Sequence, residues 1–206
     1  MLTLAIDCAT EACSVALFDG GQRIAGDFRI LGRGHAEQLV PMIAALPGRG
    51  RAQRIAVATG PGSFTGVRVG LAAARALAFA WEAELVGYPT LALVAAMARH
   101  ERAACPLAVV TTGGHGEWFV QRFDALGQAL DEVSSCKPDF ALGAISESLI
   151  AGSQAQAFVE LRGHGEALVL LPDANQFALL PDLALSRDVR PIYGRAPDAR
   201  LPAGAV

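Results

Sequence analysis

The sequence predicts an α/β fold that opens on an antiparallel β-meander and starts that opening again in its second half. Alternating apolar runs at 2–7 and 12–18 are followed by Asp19-Gly20-Gly21 and a third run at 23–30. Asp-Gly between alternating segments is a strong hairpin signal. Helix-like and strand-like segments then alternate through 35–100, the order of a layered α/β domain. Finally, Leu107-Ala108-Val109-Val110-Thr111 is joined through Gly113-Gly114-His115-Gly116 to a second strand-like run at 118–123, which repeats the opening hairpin.

The elements follow in order. Residues 35–46 carry Leu39, Met42, Ile43 and Leu46 at the spacing of an amphipathic helix, with Pro41 predicting a kink or a late start and Pro47-Gly48 a stop. Residues 54–59 read as a buried strand ending at Gly60-Pro61-Gly62, 67–81 as a long Ala-rich helix and 84–87 as a short strand. A helix follows at 90–100, opened by Pro89 or Thr90. Beyond 123 the patterns weaken: 132–135 and 157–161 read as strands, 141–150 is ambiguous, and 175–186 reads as helical through Pro181. The expected organisation is a first lobe over 1–102, a smaller lobe over 103–190 and an extended, partly disordered tail over 191–206, which carries Pro197 and Pro202.

With 206 residues, 52% of them hydrophobic and 18% charged, and a mean hydropathy of +0.36, the chain can bury a large core and is not intrinsically disordered. Its apolar stretches are broken by Gly, Pro and Arg well short of a bilayer span. The opening lacks the basic region and long apolar stretch of a secretory leader, so a cytoplasmic location is expected. A net charge of −3 supplies no basic excess for phosphate backbones, and nucleic-acid contact is expected only through a partner. Cys8, Cys13, Cys105 and Cys136 form no C-x-x-C pair and read as reduced thiols, the first two as small apolar residues of the opening hairpin.

Gly60-Pro61-Gly62-Ser63-Phe64-Thr65-Gly66 joins a strand to a helix N-terminus, a place where backbone N–H groups can hold an anion. It fits neither phosphate fingerprint. Five residues separate Gly60 from Gly66 where a Walker loop has four, and Val67 follows instead of Lys. Three separate Gly62 from Gly66 where a dinucleotide loop has two. A turn in which Ser63 or Thr65 caps the helix is the equal alternative.

On the following helix, Arg68, Arg75 and Glu82 fall on one stripe and the other faces are apolar or small, so the helix needs cover on several sides. A protein–protein interface is predicted from His35, Leu39, Met42, Ile43 and Leu46 together with Val67, Gly70, Leu71, Ala74, Leu77 and Ala78. Gly70→Arg is expected to block pairing there. The alternative is a helix sandwiched in the chain's own core. The four histidines form no H-E-x-x-H motif and no i, i+4 pair, and no metal site is predicted. Asp7 and Thr10, with Glu11, are candidates for a phosphate and Mg²⁺ loop, against a purely structural hydrogen bond from Asp7 to the turn.

Residues 4–17, 35–43 and 60–71, in that order and spacing, together resemble the TsaB (YeaZ) family. The resemblance implies an actin/hexokinase/Hsp70-like (ribonuclease H-like) fold of two related lobes, the second degenerate. It implies a non-catalytic subunit that pairs with the TsaD transferase, or with itself when alone, through the two apolar helices. The implied process is threonylcarbamoyl transfer to N6 of adenosine 37 in tRNAs reading ANN codons. TsaE would join a ternary complex, and tRNA would be met only through the complex. ATP or ADP near the Gly60–Gly66 turn at the interface, with no cofactor held tightly by this chain, is part of the same expectation. The paired histidines of TsaD have no counterpart here, since only His35 is present in its segment. Thr111-Thr112-Gly113-Gly114-His115-Gly116-Glu117-Trp118-Phe119 keeps only the end of the pattern that opens the family's second lobe. The competing reading is an autonomous ATP-dependent enzyme or peptidase of the same fold, for which ATP hydrolysis abolished by Asp7→Ala would be the mark.

Overall fold

The computed structural model of the chain describes residues 1–194. Its first half builds β1 (Leu2–Asp7), β2 (Ala12–Asp19), β3 (Gln22–Ile30), α1 (His35–Ala45), β4 (Arg54–Ala58), α2 (Phe64–Trp81), β5 (Glu84–Tyr88) and α3 (Thr90–Arg102). The strands form one sheet in the order β3-β2-β1-β4-β5, antiparallel through β1 and parallel from β1 to β5. The alternation expected from the sequence is all there. The helix α2 begins at Phe64 rather than Val67, because Ser63 Oγ accepts the Gly66 N–H at 3.2 Å and satisfies the first turn. Pro41 does not delay α1, whose span includes it on the exposed side.

The second half holds β6 (Leu107–Thr112), β7 (Trp118–Phe123), β8 (Ser134–Cys136), α4 (Pro138–Ala144), β9 (Leu149–Ala151), α5 (Ala155–Arg162) and β10 (Glu166–Leu168). Its sheet order, β8-β7-β6-β9-β10, has the same connections and strand directions as the first. The second lobe is thus a shortened copy of the first. Residues 157–161 are helix and not strand: Ala155 and Phe158 recur at helical spacing on the buried side, Phe158 packs against Trp118 with ring centroids 6.1 Å apart, and Gly163 at φ 80° ends the helix. The expected helix at 175–186 is two 3₁₀ turns, Ala174–Leu179 and Asp182–Ala184, separated by Pro181 in extended conformation.

Side-chain alternation stacks the layers. Leu4 and Ile6 face α1 and α2, while Ala5 faces Ala174 and Phe177 of the first 3₁₀ turn. The helix wrapped on nearly all sides is α3: Leu93 and Met97 join the first-lobe core, and Leu91, Val94, Ala95 and Ala98 join a cluster on Leu107 and Val109 of β6. The segment after the 3₁₀ turns returns to the first lobe, where Ser186 pairs with Gly87 and the Ile192 N–H donates to Thr59 O at 2.8 Å. Of the expected tail, 191–194 is this strap, and the remainder lies outside the described residues. No helix among the described residues is long and apolar enough to cross a membrane.

Candidate functional site

A cleft of about 680 Å³ opens where the β1–β2 turn, the β6–β7 turn, the N-terminus of α2 and the strap meet, within the size range of small-molecule sites. Thr10, Gly62, Ser63 and Phe64 line it from the first lobe and Thr112, His115 and Ser153 from the second. Arg68 and Tyr193 complete it. The Arg68 guanidinium lies 3.2 Å from the centre of the Phe64 ring and 5.3 Å from that of Tyr193, and donates to Tyr193 Oη at 2.7 Å. The other terminal nitrogen donates to Phe64 O at 3.1 Å, and the cation binds the nearby rings through their quadrupoles.

The glycine-rich turn is divided in use. Gly62, Ser63 and Phe64 face the cleft, whereas Gly60, Pro61, Thr65 and Gly66 are not among its lining. Gly62 and Gly66 are required by close approach: a Cβ would stand 2.0 Å from Ala9 O at the first and 2.1 Å from Cys8 O at the second. The Ser63 N–H donates to Ala9 O at 2.7 Å, locking the turn onto the end of β1.

Asp7 does not reach the cleft. It is buried beneath the turn, accepting the Ala9 N–H at 2.9 Å and the Tyr88 hydroxyl at 3.4 Å, so the structural alternative describes it and Asp7→Ala would report on folding. Thr10 does line the cleft, with its Oγ1 accepting the Ala12 N–H at 3.2 Å. Burial pushes the Asp7 carboxyl up to about 7, against the two hydrogen bonds that pull it down. The raised folded value gives a definite sign: the contribution to stability is complete below about 4, the unfolded value, and is lost as pH rises through about 7. The melting temperature is therefore expected to fall between pH 5 and pH 8 and to fall less in Asp7→Asn; parallel curves for the two proteins in thermal scans would refute this.

The predicted interface residues lie elsewhere than expected. His35, Leu39, Met42, Ile43, Leu46, Val67, Gly70, Leu71, Ala74 and Ala78 are buried in the chain's own core, and Leu77 packs against it partly buried. His35 is a satisfied core histidine, its Nε2 3.2 Å from Ala12 O. A Gly70 Cβ would point at Cys8 and Val57, at 3.5 and 3.6 Å, so Gly70→Arg would break the fold before it touched a partner. Hydrophobic periodicity had marked the face that each helix turns to its own sheet. The outward faces are apolar too: Ala36, Val40, Pro41 and Ala44 on α1, and Ala72, Ala76, Phe79 and Ala80 on α2, with Phe79 90% exposed. Alanines carry little hydrophobic signal, and only Phe79 and Val40 could have announced this surface. The α2 stripe of Arg68 and Arg75 holds the strap, Arg75 donating to Val189 O at 2.7 Å.

Among the described residues no group of three or more His, Cys, Asp or Glu side chains is placed to hold a metal ion. The family model described as TsaD, tRNA N6-adenosine threonylcarbamoyltransferase, matches residues 29–144, over half of the chain. The tRNA threonylcarbamoyladenosine biosynthesis protein TsaB of Escherichia coli is 37% identical over 124 residues, 58% of this chain and 53% of that protein. The match thus spans about half the length of that curated relative. The solved structure of YeaZ from Pseudomonas aeruginosa superposes with a TM-score of 0.79 at 26% identity, covering 93% of this chain and 99% of that one. The ethanolamine utilization protein EutJ of Carboxydothermus hydrogenoformans, at 13% identity and TM-score 0.52 over 88% of this chain and 90% of that one, shares the fold. The duplicated two-lobe α/β fold, the three motifs of the first lobe and these likenesses agree: the chain belongs to the family of the TsaD model, and within it is similar to TsaB (YeaZ) proteins.

Proposed function

We propose that this chain is a non-catalytic subunit in the making of N6-threonylcarbamoyladenosine at position 37 of tRNAs that read ANN codons, and that it acts by pairing with a TsaD-type transferase. The observation that carries the reading is the outward sides of the neighbouring helices α1 and α2, where Val40 at 57% and Phe79 at 90% exposure stand among exposed alanines. An exposed patch of that kind on a folded chain is the ordinary mark of an interaction site. Small residues let a partner helix approach closely while Phe79 supplies the anchor. The same face pairs with a second copy when the transferase is absent, TsaE joins the heterodimer as a third member, and tRNA is met through the complex. Light scattering on the chain alone and mixed with the transferase tests this. A one-to-one complex replacing monomer or homodimer is expected; no complex with or without ATP and TsaE would overturn the reading.

The cleft supports a second part of the proposal, that ATP or ADP binds beside this interface. Its volume suits a nucleotide, Arg68 offers a charged donor to phosphate oxygens, and with Asp7 buried, Glu11 is the member of the β1–β2 carboxylate pair that lines the cleft. Weak binding to the isolated chain is expected, further weakened about tenfold or more in Arg68→Ala. Equal affinity of the two proteins for ADP by calorimetry would remove the cleft from the proposal.

A further inference from the structure

Two thiols lie together under the β1–β2 turn. Cys8 and Cys13 follow and precede the last ladder pair of β1 and β2, Asp7 with Ser14, and their Sγ atoms are 3.5 Å apart. A sulfur separation this short at the closed end of a hairpin is within reach of a disulfide. Both side chains point into the core beneath α2, where Cys8 Sγ stands 3.8 Å from the Cβ position of Gly70. Ala9, Thr10 and Glu11, in the turn between them, are a wall of the cleft, and both thiols are buried just behind it.

We infer that Cys8 and Cys13 are a redox pair that hydrogen peroxide converts to an intramolecular disulfide and a thiol reductant restores. One thiolate attacks the O–O bond of the peroxide, giving a sulfenic acid and releasing water once a proton is taken up. The second sulfur then attacks the sulfenic sulfur and expels the oxygen as another water. The two sulfurs together give up two electrons and two hydrogens, and one peroxide is reduced to two waters. The shared S–H bond favours the Cys13 thiolate over that of Cys8, which burial and its neighbour push up, so Cys13 is the first to react and Cys8 resolves. Closing the sulfurs from 3.5 Å to bonding distance needs only a small rearrangement of the two side chains under the turn whose Ala9 carbonyl accepts the Ser63 N–H.

The test uses the whole wild-type chain, treated with hydrogen peroxide while folded, then denatured, alkylated and cut after Glu11 without reductant. The segments carrying Cys8 and Cys13 are expected to remain joined, lighter by two hydrogen atoms. Thiols counted in denaturant should drop from the four of the reduced chain to two, and dithiothreitol should restore them. Cys8→Ser should give a Cys13 sulfenic acid that dimedone traps. Alkylation of both Cys8 and Cys13 at a peroxide dose that oxidises Cys105 or Cys136, or oxygen added to either sulfur of the wild-type chain without a link, would overturn the inference. Neither result depends on the pairing proposed above.

Discussion

Phe79→Asp is expected to abolish pairing with the transferase and with a second copy while leaving the fold as stable as before. The ring is 90% exposed near the end of α2, so its removal opens no cavity, and surface changes of this kind stay within about 0.5 kcal/mol of wild type. At the centre of an interface, an aromatic anchor is worth roughly 2–4 kcal/mol, and a buried carboxylate in its place costs more. Affinity should therefore fall about 30-fold to 1,000-fold or beyond. Light scattering with the partner reads the first effect and thermal unfolding the second. Met42→Ala is the contrast: Met42 is fully buried in the α1 core, and truncation should lower stability by about 2–5 kcal/mol. Phe79→Asp that still forms a one-to-one complex at wild-type affinity would move the interface off this face.

A large loss of stability is expected from a single methyl group at Gly62 or Gly66. The added Cβ would stand 2.0 Å from Ala9 O or 2.1 Å from Cys8 O, both backbone atoms at the end of β1 that cannot rotate away. The strand end or the α2 N-terminus must shift, breaking the Ser63–Ala9 bond or the Ser63 cap. A loss of about 3 kcal/mol or more follows from overpacking of this severity, lowering the melting temperature by roughly 6–12 °C in a chain of this size. Gly70→Ala is the internal control. Its Cβ meets Cys8 and Val57 at ordinary contact distance, 3.5 and 3.6 Å, and alanine favours the helix by about 1 kcal/mol over glycine. Three glycines in one helix start thus predict two failures and one neutral or stabilising change. Unfolding curves in which Gly62→Ala and Gly66→Ala match Gly70→Ala would refute the packing account.

The sequence by itself determined the opening meander, the alternation through α3, the second hairpin at β6 and β7, and the motifs that carry the family resemblance. Each is a local property: Asp19-Gly20 makes a turn wherever it stands, and apolar spacing of two or 3.6 residues marks one face of a strand or helix. Where local signals were weak, in α5 and the 3₁₀ turns, the strand and helix readings failed, because burial against Trp118 and interruption by Pro181 settled the matter. Only the tertiary structure decided which apolar face of α1 and α2 is left for a partner. Periodicity reports the stripe that a helix buries in its own core, and it ranked Leu39 and Met42 above Phe79 and Val40. The tertiary structure also turned Asp7 under the turn and laid the strap on Arg68 and Arg75. It set Tyr193, far along the chain, against Arg68. These are contacts between segments whose approach is fixed by the packing of layers, and no spacing within either segment encodes them.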